Sequence, residues 1–263
     1  MAAVLAHVKT LQCKLGFSSA SSPAFINPHS VGRNGVLGLC VGAAFGLSLA
    51  LSLTTSSTTF LISLYVLFLS SFHALEFLTT ALFNPTQVTS TSFVIDHSLE
   101  YTCALLSSIT ELLLRILLAF LFPTHLSPPT FTLTAAVGFL LCLTGQSVRA
   151  IAMCTCGDNF NHIIQTEDTT ENHKLVKHGI YSFLRHPSYT GWFYWSIGTQ
   201  VLLGNRINFV GYVFASYKFF KARIPFEENT LVDLFGKEYE EYRNVTWVLI
   251  PGIQEGDKKA KVE

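Results

Sequence analysis

Long apolar stretches constrain the fold of this chain more than any other feature. They occupy residues 36–53, 59–83, 101–122 and 131–153, and each is close to the roughly 20 residues that a helix needs to cross a bilayer. Charged residues make up only 13% of the chain, and Glu76 is the first carboxylate from the N-terminus. The pattern does not fit a soluble core. It predicts an all-α integral membrane protein with about four full transmembrane helices.

Two shorter apolar stretches follow, at residues 192–203 and 207–219. Helices of this length cover only about 20 Å, less than a hydrocarbon core of about 30 Å. They predict a short helical hairpin near the cytosolic face, followed by a C-terminal cytosolic helical segment. The predicted organisation is an N-terminal tail over 1–34, transmembrane helices over 35–153, a catalytic region over 154–255 with the membrane hairpin at 191–220, and a charged tail over 256–263.

The basic residues predict the orientation in the membrane. Lys9, Lys14 and Arg33 flank the first span, which places the N-terminus in the cytosol by the positive-inside rule. Four crossings then return residues 154–190 to the same side. Residues 1–34 are rich in serine and free of acidic residues, so a transit peptide is an alternative to a short tail. A net charge of +0 gives no indication of nucleic-acid binding.

Ionisable residues inside the spans need partners, because a charge in lipid is costly. Glu111 and Arg115 are four residues apart and predict an ion pair within one helix. His73 and Glu76 are three apart and predict a similar pair. A role in lining a cavity remains an alternative for both pairs.

The cysteines indicate neither disulfides nor a metal site. Three lie inside predicted spans, where a thiol behaves as a small hydrophobe. Cys154 and Cys156 are separated by one residue, and with the nearby His162 they form an incomplete ligand set for zinc. We therefore predict no metal.

Residues 185–195 read Arg-His-Pro-Ser-Tyr-Thr-Gly-Trp-Phe-Tyr-Trp, a polar segment that runs into an aromatic one. Pro187 biases His186 away from helix, which predicts a polar turn where an apolar helix begins. In residues 157–190, polar side chains also alternate with apolar ones such as Leu175 and Val176. Convergent polar groups among apolar walls are typical of a small-molecule pocket.

A last informative segment lies at residues 218–242. Arg223 and Glu227 are four residues apart on an amphipathic pattern, for which a surface helix is the simplest interpretation. Pro225 is expected at the first position of this helix, which places Glu227 and Glu228 in the first turn, where the helix dipole favours anions.

Together these residues resemble the isoprenylcysteine carboxyl methyltransferases. The resemblance runs from about Phe93 to Pro251. It includes Asn-Phe-Asn-His at 159–162, Lys-Leu-Val at 174–176, the turn at 185–191 and its continuation Gly-Trp-Phe-Tyr-Trp-Ser-Ile-Gly-Thr-Gln to residue 200, and Arg223 with Glu227-Glu228. The long aromatic continuation is the most specific part. Residues 1–57 show no resemblance.

The resemblance implies a methyl esterification that depends on S-adenosylmethionine. The substrate would be the C-terminal carboxylate of a farnesylated or geranylgeranylated cysteine in CaaX-processed proteins, at the cytosolic face of the endoplasmic reticulum membrane. Arg223 resembles the residue that meets the substrate carboxylate. The residues that resemble the cofactor contacts are Gln165, His173, Lys174, Leu175, Val176, Tyr181, His186, Pro187, Ser188, Tyr189 and Glu227.

Other functions remain alternatives at this point. The Arg-His-Pro-x-Tyr-x-Gly element occurs in similar form in phospholipid methyltransferases and sterol reductases. A phospholipid N-methyltransferase or an NADPH-dependent sterol reductase would therefore fit the C-terminal half. A catalytically silent membrane scaffold is a third interpretation. A channel or transporter fits poorly, because the polar residues cluster on one side of the membrane.

Overall fold

The computed structural model describes residues 27, 29–55, 57–95, 98–160 and 174–253. In these ranges the chain forms α-helices joined by short turns, with 3-10 turns at Pro85–Gln87, Ser90–Phe93, Gly157–Asn159 and Gly179–Ser182. The α-helices are α1 (Val31–Thr54), α2 (Ser57–Phe83), α3 (Leu99–Leu121), α4 (Leu133–Cys156), α5 (Pro187–Leu203), α6 (Arg206–Phe235) and α7 (Lys237–Val245).

The first four helices confirm the predicted spans. Within the described ranges, α1, α2, α3 and the helical segment that begins with α4 are the helices long and apolar enough to cross a membrane. Three of them begin at a hydroxyl side chain that accepts a backbone N–H of the first turn: Ser30, Ser98 and Thr132. Large apolar side chains of α1 and α3 face outward, including Leu39 at 74% and Leu113 at 58% exposure. An outward apolar surface is what lipid contact requires.

Helices α4 and α5 pack antiparallel with their backbones in contact. A Cβ atom added at Gly138 would lie 2.1 Å from the Leu202 nitrogen, and one at Gly145 would lie 2.6 Å from the Trp195 nitrogen. Small residues at a helix interface allow this close approach in membranes, where packing drives association. The contact fixes the start of α5 beside the last turns of α4.

Helices α5 and α6 form the hairpin, and both arms are longer than predicted. They contain 17 and 30 residues, about 25 and 45 Å of helix. Gly204 ends α5 in the left-handed conformation, with φ 67°. The prediction that a separate helix begins at Pro225 is wrong, because α6 runs through this residue. Pro225 and Lys221, whose carbonyl loses its hydrogen bond there, are both on the exposed side of α6.

The turn between α5 and α6 is bound by the side chains of α3. Arg115 Nη1 donates to the Leu203 carbonyl at 2.7 Å, and the Glu111 carboxylate accepts from the N–H groups of Ile207 and Asn208 at 3.0 and 2.8 Å. The sequence predicted an ion pair between Glu111 and Arg115; in the structure each instead binds one of the two helix ends of the hairpin. Arg115, beside which the turn lies, is six residues before the end of α3, or about 9 Å along the helix axis.

The C-terminal segment packs on the hairpin. Ile250 and Ile253 are buried against a cluster that includes Phe193, Phe220 and Ile224 of α5 and α6. Helix α7 is the predicted C-terminal helical segment, and it joins α6 at Gly236. The C-terminal segment therefore covers the part of the hairpin near the start of α5, where the polar turn lies.

Candidate functional site

The predicted polar turn is confirmed at the start of α5. His186 is the residue before the helix, with φ −125° and ψ 57°, and Pro187 opens the helix. The preceding residues pair with the C-terminal segment through a bridge between Leu184 and Trp247. The Arg185 N–H donates to the Trp247 carbonyl at 3.1 Å. The C-terminal segment therefore holds the residues that precede the turn.

The turn forms one wall of a cavity of about 160 Å³. The cavity is also lined by residues 174–176, the end of α4 and the second half of α6. Of the residues singled out in the sequence, it brings together Lys174, Leu175, Val176, Tyr181, His186, Pro187, Ser188, Tyr189, Arg223 and Glu227. Gln165 and His173 lie outside the described residues. The individual roles of the gathered residues remain predictions.

Arg223 and Glu227 both face this cavity from α6, because the helix continues through Pro225. Arg223 Nε donates to the Tyr189 hydroxyl at 2.7 Å. The guanidinium carbon lies 5.5 Å from the centre of the Tyr189 ring and 5.7 Å from that of Phe219. The hydrogen bond to Tyr189 and the proximity of both rings limit the orientations open to the guanidinium.

Glu227 contributes a buried carboxylate oxygen to the cavity. Among the described residues, Glu227 Oε2 has no hydrogen-bond partner, and it lies 3.9 Å from His186 Nδ1. A buried polar atom without a partner is costly unless something else satisfies it. This oxygen is therefore suited to a polar or cationic ligand.

Glu228 was not predicted as part of the site, and Arg185 had no assigned role. Both side chains are 3% exposed, and Arg185 Nε donates to Glu228 Oε1 at 2.6 Å. His186 Nε2 lies 3.2 Å from the same oxygen. Burial raises the pKa of the Glu228 carboxyl, but the hydrogen bonds and charges of His186 and Arg185 outweigh it and hold the pKa below its ordinary value of 4.5.

A second buried ion pair lies behind the turn, and it corrects a prediction. Glu76 pairs with Arg149 of α4 through both carboxylate oxygens, whereas the sequence predicted a pair with His73. His73 instead bonds the Phe93 carbonyl through Nδ1 at 2.8 Å. Arg149 Nη1 also donates to Ser188 Oγ at 2.8 Å. The pair therefore anchors α2 and α4 to the first turn of α5.

The opposite wall is held by backbone contacts. The Lys174 N–H donates to Asn159 Oδ1 at 3.2 Å, and the Tyr242 hydroxyl donates to the Tyr181 carbonyl at 2.7 Å. Burial raises the pKa of the Tyr181 hydroxyl well above its ordinary value of 10.0, so this group stays protonated and uncharged. The wall offers neutral hydrogen-bonding groups beside apolar side chains.

Within the described ranges, no group of three or more His, Cys, Asp or Glu side chains could hold a metal ion. His162, which completed the weak cluster with Cys154 and Cys156 in the sequence, is outside those ranges. The described part of the cavity therefore offers no metal centre.

Comparison with known proteins identifies the family that this chain resembles. Residues 136–233 match the family described as isoprenylcysteine carboxyl methyltransferase. A protein-S-isoprenylcysteine O-methyltransferase of Xenopus laevis is 45% identical over 216 residues, covering 81% of this chain and 72% of the relative. Its counterpart in Homo sapiens is 43% identical with the same coverage, and that of Saccharomyces cerevisiae is 43% identical over 73% of this chain and 80% of the relative.

A solved structure extends the likeness to three dimensions. It is described as the eukaryotic intramembrane Ras methyltransferase ICMT, and it superposes with a TM-score of 0.73 at 38% identity, covering 81% of this chain and 74% of that one. The fold, the membrane-spanning helices and the relatives all indicate the same family. This chain belongs to the isoprenylcysteine carboxyl methyltransferase family and is an enzyme of that family.

Proposed function

We propose that this enzyme transfers a methyl group from S-adenosylmethionine to the C-terminal carboxylate of a prenylated cysteine in CaaX-processed proteins. One observation supports this best. A cavity beside the membrane helices has Arg223 and Glu227 one helical turn apart on the same wall. A cation there suits a substrate carboxylate, and a carboxylate there suits a cofactor that carries positive charge.

The described residues fit such a cofactor. The buried Glu227 Oε2 lacks a hydrogen-bond partner among them, and the neighbouring walls combine aromatic rings with backbone groups. We assign cofactor binding to Lys174, Leu175, Val176, Tyr181, His186, Pro187, Ser188, Tyr189 and Glu227, together with Gln165 and His173 from outside the described ranges. When bound, the cofactor supplies a methyl group on a positively charged sulfur.

Arg223 would hold the substrate carboxylate in line with that methyl group. A C-terminal carboxylate has a pKa of about 3.5 and is already ionised at neutral pH, so no general base is needed. The side chains must instead align the reactants and exclude water, since hydration weakens a carboxylate nucleophile. Trp192 and Phe219 line the cavity beside Arg223 and would exclude water there.

The prenyl group would enter from the lipid. Each buried CH₂ adds about 0.8 kcal/mol of membrane affinity, which concentrates the substrate in the bilayer. We further propose that the protein resides in the endoplasmic reticulum membrane with the cavity facing the cytosol. The basic residues Lys9, Lys14 and Arg33 beside the first span support this orientation. Absence of glycosylation at the Asn244-Val-Thr246 sequon in microsomes is expected. Glycosylation there would overturn the orientation.

A labelled-methyl assay tests the reaction. Membranes containing the protein should methylate S-farnesyl-N-acetylcysteine and leave its C-terminal amide unlabelled. Equal labelling of the amide would refute carboxyl methylation. Thermal stabilisation by NADPH, with none by S-adenosylhomocysteine, would indicate a reductase instead.

The Arg223 assignment has its own test. Arg223→Ala should raise the KM for S-farnesyl-N-acetylcysteine by roughly 10-fold or more, since a hydrogen bond to a charged group is worth about 1.5–3 kcal/mol. The affinity for S-adenosylhomocysteine should survive. Lys221→Ala is the matched control, because Lys221 is an exposed cation on the same helix, above the Tyr217 ring. Loss of cofactor affinity with unchanged substrate kinetics would contradict the assignment.

A further inference from the structure

An exposed apolar surface lies on the C-terminal segment, outside the cavity. Val245, Trp247 and Leu249 are 71, 68 and 52% exposed, and Phe183 beside them is 72% exposed. The Trp247 N–H donates to the Phe183 carbonyl at 2.9 Å, which joins these two residues through their backbones. We call the four residues the C-terminal apolar surface. Single exposed apolar residues are common, but a contiguous group indicates a contact.

The segment that carries this surface is apolar on both of its faces. Thr246, Val248 and Ile250 alternate with the exposed residues and are buried or half-buried, the pattern of an extended chain. A segment that packs on the protein with one face and meets water with the other usually alternates apolar and polar residues. Here the outward face is apolar as well, which does not fit a face exposed to water.

The outward side chains change in character where α7 ends. In α7 the exposed residues include Lys237, Glu238, Glu240 and Glu241. Residues 244–253, by contrast, contain no charged residue at all. Such a change from charged to apolar and aromatic side chains is typical of a chain that passes from water into the interface of a bilayer.

The segment also runs along the hairpin toward its tip. Ile250 packs against α5 and α6, and the Tyr217 hydroxyl donates to the Gly252 carbonyl at 3.5 Å. Tyr217 is about 9 Å closer to the tip than Arg223, measured along α6. Phe214 shares the outward face of α6 with Tyr217 and is 67% exposed. The C-terminal apolar surface is therefore continuous with the lipid-facing surface of the hairpin.

Cations lie beside this surface. Lys218 and Lys221 are exposed on the same face of α6 as Tyr217, and Lys221 Nζ lies 5.5 Å from the centre of the Tyr217 ring. No carboxylate occurs in residues 187–226 or 244–253. The anionic headgroups of a leaflet attract each nearby lysine with about 1 kcal/mol, so the charge of this edge complements such a leaflet.

We propose that the C-terminal apolar surface docks into the headgroup region of the leaflet on the side where the cavity lies, and that Lys218 and Lys221 bind anionic headgroups there. Trp247 is the anchor, because an indole ring combines an apolar body with a polar N–H and suits this interface. A second copy of the chain fits less well as the occupant. A two-fold contact through this surface would bring the lysines of both copies together.

Tryptophan fluorescence of the full chain in lipid nanodiscs tests the docking. The chain has 3 tryptophans, so the difference between the wild type and Trp247→Phe isolates the signal of Trp247. Phosphatidylcholine brominated near the start of its acyl chains should quench most of this signal, and bromination near the chain ends should quench less. In unbrominated lipid the emission should be blue-shifted from that of an indole in water.

Two results would overturn the docking. An unquenched signal with the emission of an indole in water would show that water covers Trp247. An unquenched but blue-shifted signal would show that another part of the protein, or a second copy of it, occupies the surface.

Two further probes use the Trp247→Phe background. Phe183→Trp places the fluorophore on the same surface and should restore the quenching. Glu238→Trp is the matched control, since the Glu238 side chain is 52% exposed on the charged part of α7, and its signal should persist in brominated lipid. Equal quenching at the two positions would refute a surface-specific contact with lipid.

The charge of the lipid tests the role of the lysines. In mixtures of phosphatidylserine and phosphatidylcholine, bromine on phosphatidylserine should quench Trp247 more than the same amount of bromine on phosphatidylcholine. Lys218→Gln combined with Lys221→Gln should abolish the difference. Equal quenching by both lipids in the wild type would refute the binding of anionic headgroups. These measurements require no methyl transfer, so their outcome is independent of the function proposed above.

Discussion

Gly145→Ala tests whether the contact between α4 and α5 sets the geometry of the site. The added methyl group would lie 2.6 Å from the Trp195 nitrogen and 2.7 Å from the Gly191 carbonyl oxygen, where ordinary contacts begin at 3.4 Å. Both neighbours are backbone atoms, so the helices must separate by roughly 1 Å. Overpacking of this kind costs about 1–3 kcal/mol, against a gain of about 1 kcal/mol from the better helix propensity of alanine.

The larger effect is expected on activity. Gly191 begins the turn of α5 that follows Ser188, and Ser188 bonds Arg149 of α4. A displacement of about 1 Å between reacting groups can reduce a rate by about 100-fold. We expect kcat/KM for S-farnesyl-N-acetylcysteine to fall 10- to 100-fold (about 1.4–2.7 kcal/mol), measured by methyl transfer in nanodiscs. Gly42→Ala in α1, where no atom lies within 4 Å of the added methyl, is the control. Equal activity of the two variants would refute the reasoning.

Three other perturbations remove carboxylates that bind a guanidinium or backbone N–H groups. Glu76→Gln leaves the Arg149 guanidinium without its buried partner and should reduce the free energy of unfolding by about 3–5 kcal/mol; a loss below about 1 kcal/mol in denaturant titrations would contradict this. Glu111→Ala leaves the N–H groups of Ile207 and Asn208 without this acceptor, which costs about 1–3 kcal/mol for each group. The unfolding temperature of this variant should therefore fall, and an unchanged value would show that the turn has other support. The lowered pKa of Glu228 means that its ionisation stabilises the folded state above pH 4.5 or so, and that this stability is lost as the pH falls through the folded pKa. The unfolding temperature of the wild type should therefore fall on acidification below that pH, and Glu228→Gln should show a shallower decline; parallel curves would argue against it.

The four spans could be predicted from the sequence because each requires only local information. An apolar run of the right length must be helical in lipid, where every backbone group needs an internal partner. The turn at His186 and Pro187 was predictable for a similar reason, since proline restricts itself and the residue before it. Only the family resemblance predicted which residues line the cavity together, and their spacing in the sequence did not. These residues include Lys174, Tyr181, Tyr189 and Arg223.

The ion pairs could not be predicted, because their partners are distant in sequence. Glu76 is three residues from His73 but 73 from Arg149, and only the packing of α2 on α4 decides between them. Arg185 and Glu228 are 43 residues apart, so neither gives a local signal. The helix start predicted at Pro225 was wrong for another reason. It usually marks a helix start, but an exposed position on a long helix tolerates the lost hydrogen bond.

The turn between α5 and α6 also constrains the order in which the protein assembles. Arg115 and Glu111 of α3 bind the Leu203 carbonyl and the N–H groups of Ile207 and Asn208 in this turn, and in hydrocarbon each unsatisfied group costs several kcal/mol. Alone in the bilayer, the hairpin would leave its tip without these partners. The third span must therefore be in place before the hairpin is stable at this depth. Because α6 carries Arg223 and Glu227, the wall of the cavity that these two residues line depends on the same support.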